Sequence, residues 1–210
     1  MSAHAVKTRD IFAGGLIRLI SSVMIVAGFA ALGYVAYVIV SALYFQEMEA
    51  AKFITTINTA PLAPLPKSDR RSRIAADGDV VGMVEIDSVG IHAVVVEGDS
   101  GNILRRAVGH VHGTPMPGEA GNVTLAAHRD TFFRPLQKIK NGDRIDLRTT
   151  TGVVQYRVRS TAIVPANDLG VLESDGRNEL TLITCYPFYY VGRAPDRFVV
   201  KAGEIGRPGN

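Results

Sequence analysis

The stretch Leu180-Thr181-Leu182-Ile183-Thr184-Cys185-Tyr186-Pro187 is the one from which the rest of the chain is read. Its apolar, β-branched run is the pattern of a buried strand. The single cysteine of the chain, Cys185, then stands where that strand gives way to a loop. A strand end holds a nucleophile in register while its tip stays open to a substrate, and catalytic groups are often found there. The bland alternative is that Cys185 is a small buried hydrophobe, since free cysteine is among the most buried residue types.

Working outward, 210 residues suffice for one well-cored domain and an appendage, and 47% hydrophobic content makes the appendage apolar. The net charge is +3, and residues 81–210 carry 15 Lys/Arg against 14 Asp/Glu, so the folded part has no basic face. Nucleic acid is therefore not an expected partner. One cysteine cannot form an internal disulfide, and it excludes a cysteine-rich structural zinc site.

The amino-terminal segment is polar up to Asp10, and Ile11 to Phe45 is apolar apart from Arg18. A charge at the bilayer centre costs ~3 kcal/mol, so the span is placed at 19–45 with Arg18 reaching back to the surface. A helix of that length runs about 40 Å against a hydrocarbon core of ~30 Å. A cleaved signal peptide is the competing reading, but Leu43-Tyr44-Phe45-Gln46 does not resemble a small-residue cleavage site. Lys7, Arg9 and Arg18 precede the span while Glu47 and Glu49 follow it, which puts residues 1–18 in the cytoplasm and the rest outside. Residues 46–79 are expected to be a linker. Its first part has helical composition and can prolong the anchor, and Pro61, Pro64 and Pro66 then break regular structure. Arg70, Arg71 and Arg73 in the spacer either touch anionic membrane lipid or are simply solvated.

From Val80 the rhythm changes to short β-like runs punctuated by Gly, Asp and Asn. Strands are expected at Val80–Ile86, Ile91–Glu97, Asn122–Ala127, Arg144–Leu147, Val153–Val164, Leu180–Cys185 and Arg197–Lys201, with a short one near Gly109–His112. Asn141-Gly142 and Thr151-Gly152 are turn signals. Only Asn102–Ala107 and Phe132–Ile139 read as helices. Many short strands at this spacing predict an all-β closed barrel or sandwich over 80–202, with 203–210 as a tail.

Two further residues could serve the thiol. His128 directly follows the strand ending Ala126-Ala127, where it could act as general acid and base for Cys185, whose unperturbed thiolate is only sparsely populated at neutral pH. Arg197 opens the last strand. Were that strand to pair with the Cys185 strand, the guanidinium would lie beside the thiol and could hold a developing oxyanion. Each also reads as an ordinary surface residue. Arg193 competes with Arg197, although a group opening a strand is held more rigidly than one in a Gly-containing loop. His110 and His112 share a face if extended, but two histidines without an evident third ligand do not predict a metal site.

Together these segments resemble the sortase family. The strand Thr181-Leu182-Ile183-Thr184-Cys185, the histidine in Leu125-Ala126-Ala127-His128 and the arginine Arg197 match its three motifs. The segments 113–122, 128–133 and 185–198 look like its class D branch, and the likeness spans about Val80 to Ala202. Ala127 departs from a glycine common before the histidine.

The resemblance implies a closed eight-stranded β-barrel with short helices behind one transmembrane helix. It also implies cleavage of a carboxy-terminal Leu-Pro-x-Thr-Gly-like signal between Thr and Gly. Cys185 would carry a thioacyl group, His128 would move the protons, Arg197 would hold substrate or oxyanion, and Ala126, Thr181 and Ile183 would line the groove. The implied partners are proteins bearing that signal and an amine acceptor, a cell-wall precursor or a pilin lysine. No cofactor is implied. Glu119, Asp168, Glu173 and Asp175 could make a loop calcium site of the kind some members use, or stay solvated. The rival readings are a cysteine L,D-transpeptidase, disfavoured by Thr184 before the thiol and Tyr186-Pro187 after it, a non-catalytic anchored barrel, and a protease in which water completes the reaction.

Overall fold

The computed structural model describes residues 3–59, 75–173, 176–190 and 192–207. The spacer positions 60–74, with Arg70, Arg71 and Arg73, lie outside the described residues, as does Asp175. Two compact units divide at Leu43/Tyr44.

The first unit is the leading part of helix α1, Ala3–Thr59. Leu16–Thr56 contains an 18-residue window with a mean hydropathy of 2.3, and the helix is long and apolar enough to cross a membrane. Leu19, Val26, Phe29, Leu32 and Val40 all project outward with no protein against them, which suits hydrocarbon rather than water.

The second unit begins with the end of the same helix. Residues 46–56 were expected within a linker, but they dock on the barrel. Phe53, with Phe45 and Ala50 beside it, packs on Met83, Val94, Val96, Ile103 and Ala107. Gln46 locks the register, for its Nε2 donates to Arg106 O at 2.7 Å while its Oε1 accepts Val94 N–H at 2.8 Å. The Arg106 guanidinium lies 5.4 Å from the centroid of the Phe45 ring. An apolar face of helix and two backbone groups of the barrel are satisfied together, so this segment belongs to the domain.

Eight strands close the barrel in the order β1-β2-β3-β4-β7-β8-β6-β5. They are β1 Val80–Ile86, β2 Ile91–Glu97, β3 Val108–His110, β4 Asn122–Ala126, β5 Arg144–Thr149, β6 Gly152–Pro165, β7 Glu179–Tyr186 and β8 Asp196–Gly206. The expected eight-stranded closed barrel is what the chain forms. Strand β8 runs through the expected tail to Gly206, because β6 is long enough to offer partners as far as Gln155, with two register shifts along the way. The expected helices shrink. Gly101–Leu104 is a single turn, α2, and residues 134–138 form a 3-10 turn with Pro135 near its start. The β2–β3 and β4–β7 pairs are parallel and the others antiparallel. A Cβ on Gly109 would collide with the Gly98 carbonyl, so glycine lets β3 enter so close to the end of β2.

Side chains alternate as the strand period demands. Along β7, Leu180 and Leu182 join Ile86, Leu125, Leu147 and Val200 in the core, which leaves Thr181, Ile183 and Cys185 on the opposite face. Tyr156 is also in this core, and burial, reinforced by the nearby Glu204 charge, pushes its hydroxyl well above the ordinary tyrosine range.

Candidate active site

Strand β7 brings Cys185 to its loop end, and β8 starts opposite it. Cys185 and Arg197 are direct partners in the antiparallel β7–β8 register. Side chains of such a pair emerge on one face from Cα atoms ~4.5–5.5 Å apart. On the other flank β7 lies parallel to β4, with Ala126 opposite Ile183. His128 is two residues beyond Ala126, so the histidine and cysteine ends emerge side by side.

Two hydrogen bonds fasten that junction. Ala127 N–H donates to Ile183 O at 3.3 Å, and the Thr184 hydroxyl donates to Ala127 O at 2.8 Å. Thr184 is only 2% exposed, so its hydroxyl binds the residue before His128 from the residue before Cys185. This clamp was invisible in the sequence, where Thr184 was one threonine of a strand.

His128, Cys185 and Arg197, each half-buried, open on one cleft of about 490 Å³, with Arg129, Asp130 and Arg193 on its walls. Arg197 Nη1 donates to Asp196 O at 2.9 Å and more weakly to Ala194 O at 3.4 Å. That steadies the guanidinium while its remaining donors make no protein hydrogen bond among the described residues. Arg193 also reaches the cleft, but from the exposed loop. Chemically the arrangement offers a nucleophile, a proton carrier and a cation aimed at one space.

The groove residues separate. Ala126 and Ile183 are half-buried and adjacent across the β4–β7 pair. Thr181, expected to line the groove, is instead fully buried, and its hydroxyl donates to Asn122 Oδ1 at 2.6 Å. The reason is the β6–β7 connection, which covers it: Asn122 Nδ2 donates to the carbonyls of Val171, Leu172 and Glu173 at 3.1–3.2 Å. Thr181 and Asn122 hold that connection down and present no polar group to solvent.

His110 and His112 both turn to one carboxylate. His110 Nδ1 is 2.7 Å from Glu97 Oε2, and His112 Nδ1 is 3.0 Å from Glu97 Oε1. His112 Nε2 is 2.9 Å from Asp77 Oδ1, and His110 Nε2 is 2.9 Å from Pro115 O. This chain ties the β3–β4 loop to β2. Among the described residues no three His, Cys, Asp or Glu side chains gather as metal ligands. Glu119 accepts Met116 N–H, and Asp168 accepts Gly170 N–H, each within its own turn.

A family model described as a sortase domain matches residues 84–205. Sortase D of Bacillus subtilis (strain 168) is 34% identical over 129 residues, covering 61% of this chain and 65% of that protein. Sortase A of Listeria monocytogenes is 32% identical over 111 residues, covering 50% of this chain and 49% of that protein. The chain thus spans less than two thirds of the length of either relative. Among solved structures, a Clostridium perfringens Sortase D5 transpeptidase superimposes with a TM-score of 0.64 at 28% identity, covering 79% of this chain and 99% of that one.

Proposed function

The chain belongs to the sortase family, class D-like, and from that membership we propose that it is a membrane-anchored cysteine transpeptidase acting on proteins with a carboxy-terminal Leu-Pro-x-Thr-Gly-like signal. The single observation that carries the reading is the register opposing Cys185 to Arg197 beside His128 in one cleft.

In the first half-reaction the Cys185 sulfur attacks the threonine carbonyl carbon and the Thr–Gly C–N bond breaks. His128 gives its proton to the departing glycine amine. A thioester on Cys185 remains, and Arg197 hydrogen-bonds the oxyanion that forms on the way in and out. In the second half an acceptor amine attacks the thioester, His128 takes the amine's proton, and the thiolate leaves. An amine in a cell-wall precursor or a pilin lysine suits this step. The place of Arg197 opposite Cys185 on strand backbone, against that of Arg193 on the exposed loop, favours it over Arg193 for the oxyanion. Ala126 and Ile183 form the floor on which the signal lies, and Thr181, on the same face two residues before Ile183, is covered by the β6–β7 connection.

The apolar helix anchors the protein, with residues 1–18 in the cytoplasm, as the charges flanking the span favour, and with the barrel outside. Mass spectrometry of the protein with a panel of sorting peptides and amines tests the reading. An acyl adduct on Cys185 that an amine discharges is expected; a Cys185 that never acylates across the panel would sink it.

A further inference from the structure

Arg129 directly follows His128, and we propose that it is a positioning residue that staples the histidine turn to the β7–β8 loop and so keeps the two walls of the cleft in register. The inference rests on the transpeptidase reading for what the cleft does, but the staple itself is a matter of geometry. Arg129 Nη2 donates to Tyr190 O at 2.5 Å and to Gly192 O at 3.1 Å. The guanidinium carbon also lies 5.9 Å from the centroid of the Tyr190 ring. The three contacts cross 61 to 63 positions of sequence and join two segments that share no strand pairing.

Both ends of this tether are attached to the chemistry. On one side Phe133 N–H and Thr131 N–H turn back to His128 O at 3.3 and 3.4 Å, so the Arg129 backbone moves with the histidine. On the other side the loop joins Cys185 to Arg197, and its Ala194 carbonyl accepts from Arg197 Nη1. Gly192, with φ +97°, is itself one of the two tethered carbonyls and stands two residues before Ala194. An arginine is suited to the task because one planar, permanently charged group can give two hydrogens to two carbonyls while its face rests on a ring. Without it, the loop end at Arg197 stays fixed by β8, and the wall before it keeps the Tyr189 hydroxyl on Gln137 Oε1 at 2.9 Å and Ala166 N–H on Pro195 O at 3.1 Å but loses this hold on the histidine turn.

The full chain in detergent micelles, unaltered and as Arg129→Met and Arg129→Lys, tests this in two arms. Methionine keeps the apolar stem and loses every donor. In the first arm, amide hydrogen exchange at residues 192–194 is expected to rise on the order of tenfold in the methionine variant, with β7 and β8 unchanged. In the second, kcat for the sorting peptide is expected to fall on the order of tenfold with KM little changed, and lysine is expected to recover part of the loss. Unchanged exchange overturns the staple whatever happens to the rate. Faster exchange with an unchanged kcat overturns the positioning role, as does a fall in kcat matched by a general loss of protection in the strands. If the unaltered chain forms no adduct on Cys185, the transpeptidase reading fails instead, and with it the catalytic half of this proposal.

Discussion

Cys185 and Arg197 occupy opposed positions of the antiparallel β7–β8 pair, so thiol and guanidinium leave the sheet on the same side from rigid strand backbone. A cation in that position is worth most where charge develops on the substrate. Arg197→Ala is expected to lower kcat/KM for a sorting peptide on the order of 10²–10³-fold, and Cys185→Ala to abolish cleavage. Arg193→Ala should cost much less, since that side chain hangs from the exposed loop. Steady-state kinetics of the three variants checks the order; a larger loss at Arg193 than at Arg197 would reassign the oxyanion role.

Thr184 supplies a different kind of support. Thr184→Val keeps the shape of the side chain but removes the donor to Ala127 O, leaving a buried carbonyl without that partner. A cost of ~1–3 kcal/mol is expected, together with a drop in kcat because His128 adjoins the freed carbonyl. Thr184→Ser should restore both. Thermal unfolding and kinetics of the pair of variants measure this.

The docked end of α1 makes a stability prediction that has nothing to do with the cleft. Phe53 is 6% exposed in its cluster against β1, β2 and α2. Phe53→Ala is expected to cost ~3 kcal/mol, the lower part of the usual range because the helix end can undock rather than leave a sealed cavity. Proteolysis within the helix end, residues 46–56, should then be more rapid, while an exposed change such as Ile54→Ala on the same turn should leave the rate alone.

Tyr156 gives an alkaline signature. Its folded-state ionisation lies above the ordinary value, so the folded state holds the phenolic proton more tightly than the unfolded one. The sign follows: this contribution to stability is complete below about pH 10 and is lost as pH rises beyond it, at up to ~1.4 kcal/mol per pH unit. Tyr156→Phe removes the proton altogether. Its unfolding free energy should fall less steeply than that of the unaltered chain between pH 10 and 12, as denaturant titration at each pH would show; parallel slopes would refute the assignment.

Much of this molecule was legible before any fold was in view. The apolar, β-branched runs in 80–86, 91–97 and 180–185 became strands, since such composition is a local property that burial merely completes. The apolar run of α1 was equally plain, because its length and composition need no partner to be read. The residue types of the cleft could also be picked out, although their grouping leaned on the family resemblance.

What the chain alone did not disclose depends on closure of the barrel. Whether Phe45, Ala50 and Phe53 face solvent or protein is not decided by a helix end that mixes Gln46, Glu47, Glu49 and Lys52 with apolar residues, and the outer surface of β1 and β2 answers it. Thr181 was implied as a groove residue by the family resemblance and is covered by a connection that Asn122 draws over it. The local runs determined which residues would be strand, which face each would turn, and which side chains could do chemistry. The opposition of Cys185 to Arg197, the clasp of Thr184 on Ala127 and the reach of Arg129 across the cleft were decided by tertiary structure alone, because strand register and hydrogen bonds between distant segments exist only once the sheet has closed on itself.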